Sequence, residues 1–77
     1  MNPRLRQLRG GDAVRALERA GFVVTRIKGS HHILVHPADR SRRATVPVHT
    51  GQTLKLGTLR SILVQAKLTE DELVQLL

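Results

Sequence analysis

Apolar positions along the chain change period twice, from helical to extended and back again. Ala13, Val14, Leu17 and Ala20 recur three and four residues apart, with Arg15, Glu18 and Arg19 opposite them, which predicts a helix. Asp12 is placed to cap its start, and Gly21 to end it in a left-handed conformation. Phe22–Ile27 is aromatic and β-branched, a strand signal, and Lys28-Gly29-Ser30 is a turn. His31–His36 forms a second predicted strand, closed by Pro37, and residues 38–43 read as a polar, basic connection. A third strand is predicted over residues 44–49, with Ala44, Val46 and Val48 on one face and Thr45, Pro47 and His49 on the other. Pro47 offers no N–H to a ladder, so this strand belongs at an edge.

After the Thr50-Gly51-Gln52 turn, Gly57-Thr58 opens a second helix with Thr58 as its expected cap. Leu59, Ile62, Leu63 and Ala66 supply its apolar stripe. Thr69-Glu70-Asp71-Glu72 is a capping box, with Leu68 and Leu73 placed as a hydrophobic staple, so residues 69–77 form a short acidic helix. The order is α-β-β-β-α with a helical tail. An α+β domain with three antiparallel strands and helices on one face buries these stripes most economically. If Ala44, Val46 and Val48 face the helices, Ile33 and Val35 are expected to face them too. His31 shares their parity and is then expected at the strand's mouth.

The 77 residues suit one domain, with residues 1–10 as a basic N-terminal segment. There is no cysteine, which excludes disulfides and thiolate metal sites. No apolar run approaches the length of a signal peptide's core or a membrane span, so a soluble, cytoplasmic protein is expected. Charge narrows the class further. Thirteen Lys and Arg oppose six Asp and Glu, and three of those acids lie in the last ten residues. Residues 1–67 therefore hold all thirteen cations with three acids, a net +10 that attracts polyanions, nucleic acid first and an acidic protein second.

Four histidines raise the question of a metal. His32 and His36 would share a helix face, but on a strand four residues span ~13 Å. Zinc–nitrogen bonds are only roughly 2.0–2.1 Å long, so no metal and no cofactor is expected. Proton transfer suits the residues better. Histidine titrates near pH ~6.5, and a metal-free cut in RNA needs a base at the 2′-OH and an acid at the leaving oxygen. Lys28 would offset charge building on the phosphorus, and Gly29 and Ser30 would offer N–H and hydroxyl donors. Arg26, Lys28, Arg40, Arg42 and Arg43 are the candidate phosphate contacts. Phe22, the only aromatic residue, reads as core, which leaves no stacking platform and makes RNA contact mainly electrostatic.

Phe22, Lys28-Gly29-Ser30-His31-His32, His36-Pro37, Val46-Pro47-Val48-His49, Gly51 and Leu54-Lys55-x-Gly57-Thr58-Leu59-Arg60-x-Ile62-Leu63 together resemble the HicA family of bacterial toxins. The resemblance runs from about Gly11 to Leu73. It implies the fold of a double-stranded-RNA-binding domain and a toxin of a type II toxin–antitoxin system. The implied activity is endoribonucleolytic cleavage of mRNA, silenced by a HicB-type antitoxin. The family's active histidine carries over to His31, with His32 as the alternative because some members place it one residue later. The family pattern also includes Pro47 and His49; His49 is read here as a support for the fold or an RNA contact, not as catalytic. The alternative function is an inactive RNA-binding module of the same fold.

Overall fold

The computed structural model describes all 77 residues. Its elements run α1 (Pro3–Arg6), α2 (Gly10–Arg19), β1 (Val23–Lys28), β2 (His31–His36), β3 (Asp39–Pro47), α3 (Leu56–Ala66) and α4 (Glu70–Gln75). The strands form one antiparallel sheet in the order β1-β2-β3. The helices cover one face of it, giving the α+β arrangement expected for a double-stranded-RNA-binding-type domain. No helix is long and apolar enough to cross a membrane.

The two amphipathic stripes behave as their spacing predicts. Ala13, Val14 and Leu17 of α2 and Leu59, Ile62, Leu63 and Ala66 of α3 are buried, together with Phe22; Ala16 joins the α2 stripe, and Ala20, at the helix's C-cap, is only half-buried. Gly21 follows α2 with a φ of +99°, the left-handed value that glycine adopts without steric cost. No polar or charged side chain is fully buried, so apolar burial carries the stability.

Four details depart from the sequence reading. The helices start earlier than their expected caps: α2 is preceded by Arg9 and α3 by Lys55, neither with a side-chain cap. Asp12 instead pairs with Arg15 one turn along. The basic N-terminal segment, residues 1–10, packs against the rest of the domain. Asn2 caps α1, Leu5 and Leu8 are buried, and the Leu54 N–H donates to the Leu8 carbonyl (2.8 Å).

The third departure is that β3 begins at Asp39, so residues 39–43 are strand and not a connection. Its polar composition hid the alternation. Arg42 lies under the helices, donates from Nε to the Ala66 carbonyl (2.9 Å) and sets its guanidinium 5.3 Å from the Phe22 ring centre. An arginine stem covering apolar surface substitutes for an inward aliphatic residue.

The fourth is the parity of β2. Leu34 pairs with Ala44, and His32 with Val46, so the residues facing the helices are His32, Leu34 and His36. Ile33 and Val35 lie on the open face, contrary to expectation. The apolar run Ile33-Leu34-Val35 offers no polar residue to mark its outward side, and Leu34 takes the core.

The capping box at α4 forms as predicted. Glu72 accepts from the Thr69 N–H (2.9 Å), and Thr69 Oγ1 accepts from the Glu72 N–H (3.1 Å). Bonding to the Thr69 backbone, then to its hydroxyl, holds the Glu72 carboxyl below its ordinary pKa. A carboxyl with a depressed folded-state pKa stabilises above its unfolded value, and that contribution is lost as pH falls through the folded one. Thermal unfolding temperature is therefore expected to hold steady down to pH ~5 and to fall below pH ~4.3, the ordinary glutamate range. Glu72→Gln should flatten part of that acid limb; an unchanged limb would show that the box does not contribute.

Candidate functional site

Two-residue hairpin loops favour turns with positive φ, and here the loop is Gly29-Ser30 between the paired residues Lys28 and His31. Gly29 has a φ of +59°, and a Cβ there would touch nothing, so the demand for glycine is conformational rather than steric. The turn places His31 as the first residue of the central strand. Ser30 continues the pairing beyond it, its carbonyl accepting from the Val48 N–H at 2.8 Å.

Cross-strand partners share a face of the sheet, so the register yields the open surface row by row. Lys28, His31 and Pro47 form the first row, Arg26, Ile33 and Thr45 the second, and Val23, Val35 and Arg43 the third. A bulge at Thr25 lets Arg26 return to this face. Around the third row, Val23, Thr25, Val35, Pro37, Arg40 and Arg43 line a shallow depression of about 460 Å³. The face thus carries Arg26, Lys28, Arg40 and Arg43, all exposed, and its rows contain no carboxylate. Oriented cations of one sign on a small surface focus potential on a polyanion.

Of the expected phosphate contacts, Arg26, Lys28, Arg40 and Arg43 therefore share one face with His31, adjoining the Gly29-Ser30 turn. Arg42 lies on the other side, with its Nε committed to Ala66. The remaining acid nearby, Asp39, is turned to its own strand. Its carboxylate accepts from the Ser41 hydroxyl (2.6 Å) and N–H (3.1 Å), and these bonds, the hydroxyl's first, lower its pKa.

The four histidines separate into different environments. His31 is exposed on the open face. His32 is half-buried on the helix side, where its Nδ1 has no hydrogen-bond partner. His36 is structural: Nε2 lies 3.2 Å from the Ala20 carbonyl, and Nδ1 accepts from the Ala38 N–H at 3.2 Å. With the Ala38 N–H on Nδ1, Nε2 is left to meet the Ala20 carbonyl. The ring also stands edge-on to Phe22, with centroids 5.1 Å apart, tying β2 to the end of α2. His49 is exposed, with Nε2 3.4 Å from Ser30 Oγ. The Ser30–His49 approach was not anticipated from sequence. Its signal was the register, because antiparallel pairing of His31 with Pro47 brings Gly29 and His49 level across the strands.

An exposed imidazole in a cationic, carboxylate-free surface can exchange a proton with a phosphodiester's hydroxyl groups while nearby cations hold the phosphate. No curated protein matches the chain. A family model described as the HicA toxin of bacterial toxin–antitoxin systems matches residues 10–68, which includes the Gly29-Ser30 turn, all four histidines and the whole sheet. The chain thus belongs to the HicA family, toxins of bacterial toxin–antitoxin systems.

Proposed function

We propose that the protein is a metal-independent endoribonuclease that cleaves mRNA in the cytoplasm and is silenced by a HicB-type antitoxin. The observation that carries this reading is the row Lys28–His31–Pro47, which sets one exposed imidazole on a face whose other charged groups are all cations. His31 exchanges the proton, with His32 as the alternative. Lys28 offsets charge on the phosphate, and the Gly29-Ser30 turn supplies N–H and hydroxyl donors beside it. Arg26, Arg40 and Arg43 hold the strand, and Arg42 supports the surface from beneath. An antitoxin that covers this face would exclude RNA and His31's substrate together.

The test is cleavage of an unstructured, labelled RNA by the purified protein in excess EDTA. Cleavage that persists in EDTA and stops on addition of the antitoxin supports the reading. Binding without cleavage would leave an RNA-binding module of the same fold.

Salt dependence tests the electrostatic part separately. Four phosphate contacts from Arg26, Lys28, Arg40 and Arg43 should give log K against log[salt] a slope of about −3 for single-stranded RNA. Arg43→Gln should reduce the slope by about 0.7 without changing which sequences bind. A slope near zero would remove this face as the RNA surface.

A further inference from the structure

Cleavage of RNA through its own 2′-OH needs two proton transfers, one at each end of the reacting phosphate. The 2′-oxygen bonds to phosphorus as the bond to the 5′-oxygen breaks. One group takes the 2′-OH proton, and another gives a proton to the departing 5′-oxygen. The products are a 2′,3′-cyclic phosphate and a 5′-hydroxyl. His31 supplies one of these groups, and the structure limits what can supply the other.

His36 has both ring nitrogens engaged, by Ala20 and Ala38. His32 faces the helices, with Nδ1 buried. No carboxylate belongs to the rows of the open face, and none lines the depression beside Pro47. That depression, about 280 Å³, is bounded by His49, Gln52, Lys55 and Thr58 among others. His49 therefore stands as the second exposed imidazole next to the turn. His49 lies two residues past Pro47, just beyond the end of β3, while Pro47 is His31's partner. In a ladder, diagonal cross-strand residues lie ~7–8 Å apart, a span that one phosphodiester can bridge, and His49 follows directly on such a ladder. Two contacts fix the arrangement: the Val48 N–H to the Ser30 carbonyl, and His49 Nε2 against Ser30 Oγ at 3.4 Å.

Building on the ribonuclease reading, we propose that His49 is the second catalytic residue, sharing the two proton transfers with His31 across one phosphodiester held at the Gly29-Ser30 turn. One ring starts neutral and the other protonated. Each turnover exchanges those states, which solvent then resets.

The experiment compares wild type, His31→Ala and His49→Ala on RNA in EDTA. A second RNA carries sulfur in place of the bridging 5′-oxygen at the linkage that wild type cuts. A thiolate leaves without a proton, so this substrate needs the base and not the acid. On ordinary RNA each variant should be slowed about 10²-fold or more. On the sulfur-bridged RNA one of the two should return to within roughly tenfold of wild type while the other stays slow. That split identifies acid and base and is not expected of a residue that only binds or packs. His49→Gln keeps a partner for Ser30 without a proton to shuttle, and should match His49→Ala. Wild-type rates on ordinary RNA for either His49 variant would overturn the proposal. So would equal losses on both substrates for both alanine variants. If wild type itself does not cut RNA in EDTA, the ribonuclease reading falls first and this proposal with it.

Discussion

Replacing His31 by alanine is expected to lower the rate of RNA cleavage by about 10²–10⁴-fold, the range general acid–base catalysis supplies. The protein should remain folded. His31 is exposed at the first position of β2, and its backbone pairing with Pro47 and Lys28 does not need the ring. A surface substitution of this kind usually changes stability by within ~0.5 kcal/mol. RNA affinity should also be nearly unchanged, because Arg26, Lys28, Arg40 and Arg43 are untouched. The measurements are single-turnover cleavage, a salt titration of binding and a thermal melt. Loss of rate with melt and binding preserved places the effect in the chemical step. Parent-rate cleavage by His31→Ala would pass the role to His32, whose alanine variant is the necessary companion. His32→Ala also opens space on the helix side of the sheet, so a lower melting temperature is expected there whichever histidine is active.

The largest effect on stability is expected at Gly10, on the helix behind the end of β3. This residue is buried at the first position of α2, and a Cβ built on it would lie 2.1 Å from the Pro47 carbonyl oxygen. The obstruction is backbone, so no side chain can swing aside. Gly10→Ala must push α2 away from the end of β3, an overpacking change worth ~1–3 kcal/mol. In a domain of this size that corresponds to a fall in melting temperature of about 4–8 °C per kcal/mol. Gly11→Ala is the control, since its Cβ would meet only the mobile end of Arg15, at 3.6 Å. Equal melting temperatures for the two variants would refute the close contact. Pro47 is His31's partner and Val48 bonds to Ser30, so Gly10→Ala is also expected to slow cleavage in molecules that remain folded.

Helical stripes were the most readable part of this chain because burial on one face repeats over several turns. The capping box at Thr69–Glu72 was equally plain, since two side chains at fixed spacing satisfy each other's N–H groups. The sheet was read less well, and the reasons are specific. Ile33-Leu34-Val35 is apolar throughout, so only tertiary packing selects Leu34 as the inward residue. Pairing slips between Val35 and His36, with Arg40, Ser41 and Arg42 set between the pairs His36–Asp39 and Val35–Arg43. Such a bulge leaves no periodic trace in sequence. Its consequence is direct: it brings Arg43 and Arg40 onto His31's face and sends Arg42 beneath Phe22. The Gly-Ser-His-His segment marked a candidate position but not its surroundings. Gly10 was invisible for another reason, because a glycine required for close approach looks like any glycine until its neighbour is known.

The row Lys28–His31–Pro47 has a consequence for the chain's birth. Its members come from three strands, and the central one cannot be presented until both neighbours are paired. Pro47 is held from behind by Gly10 at the start of α2, while the helix side of the sheet is closed by Leu59, Ile62 and Leu63, encoded after every strand. A chain still emerging from the ribosome therefore has the histidine but not the surface that would use it. On the proposed reading, cleavage should begin only once α3 has closed the helix side of the sheet.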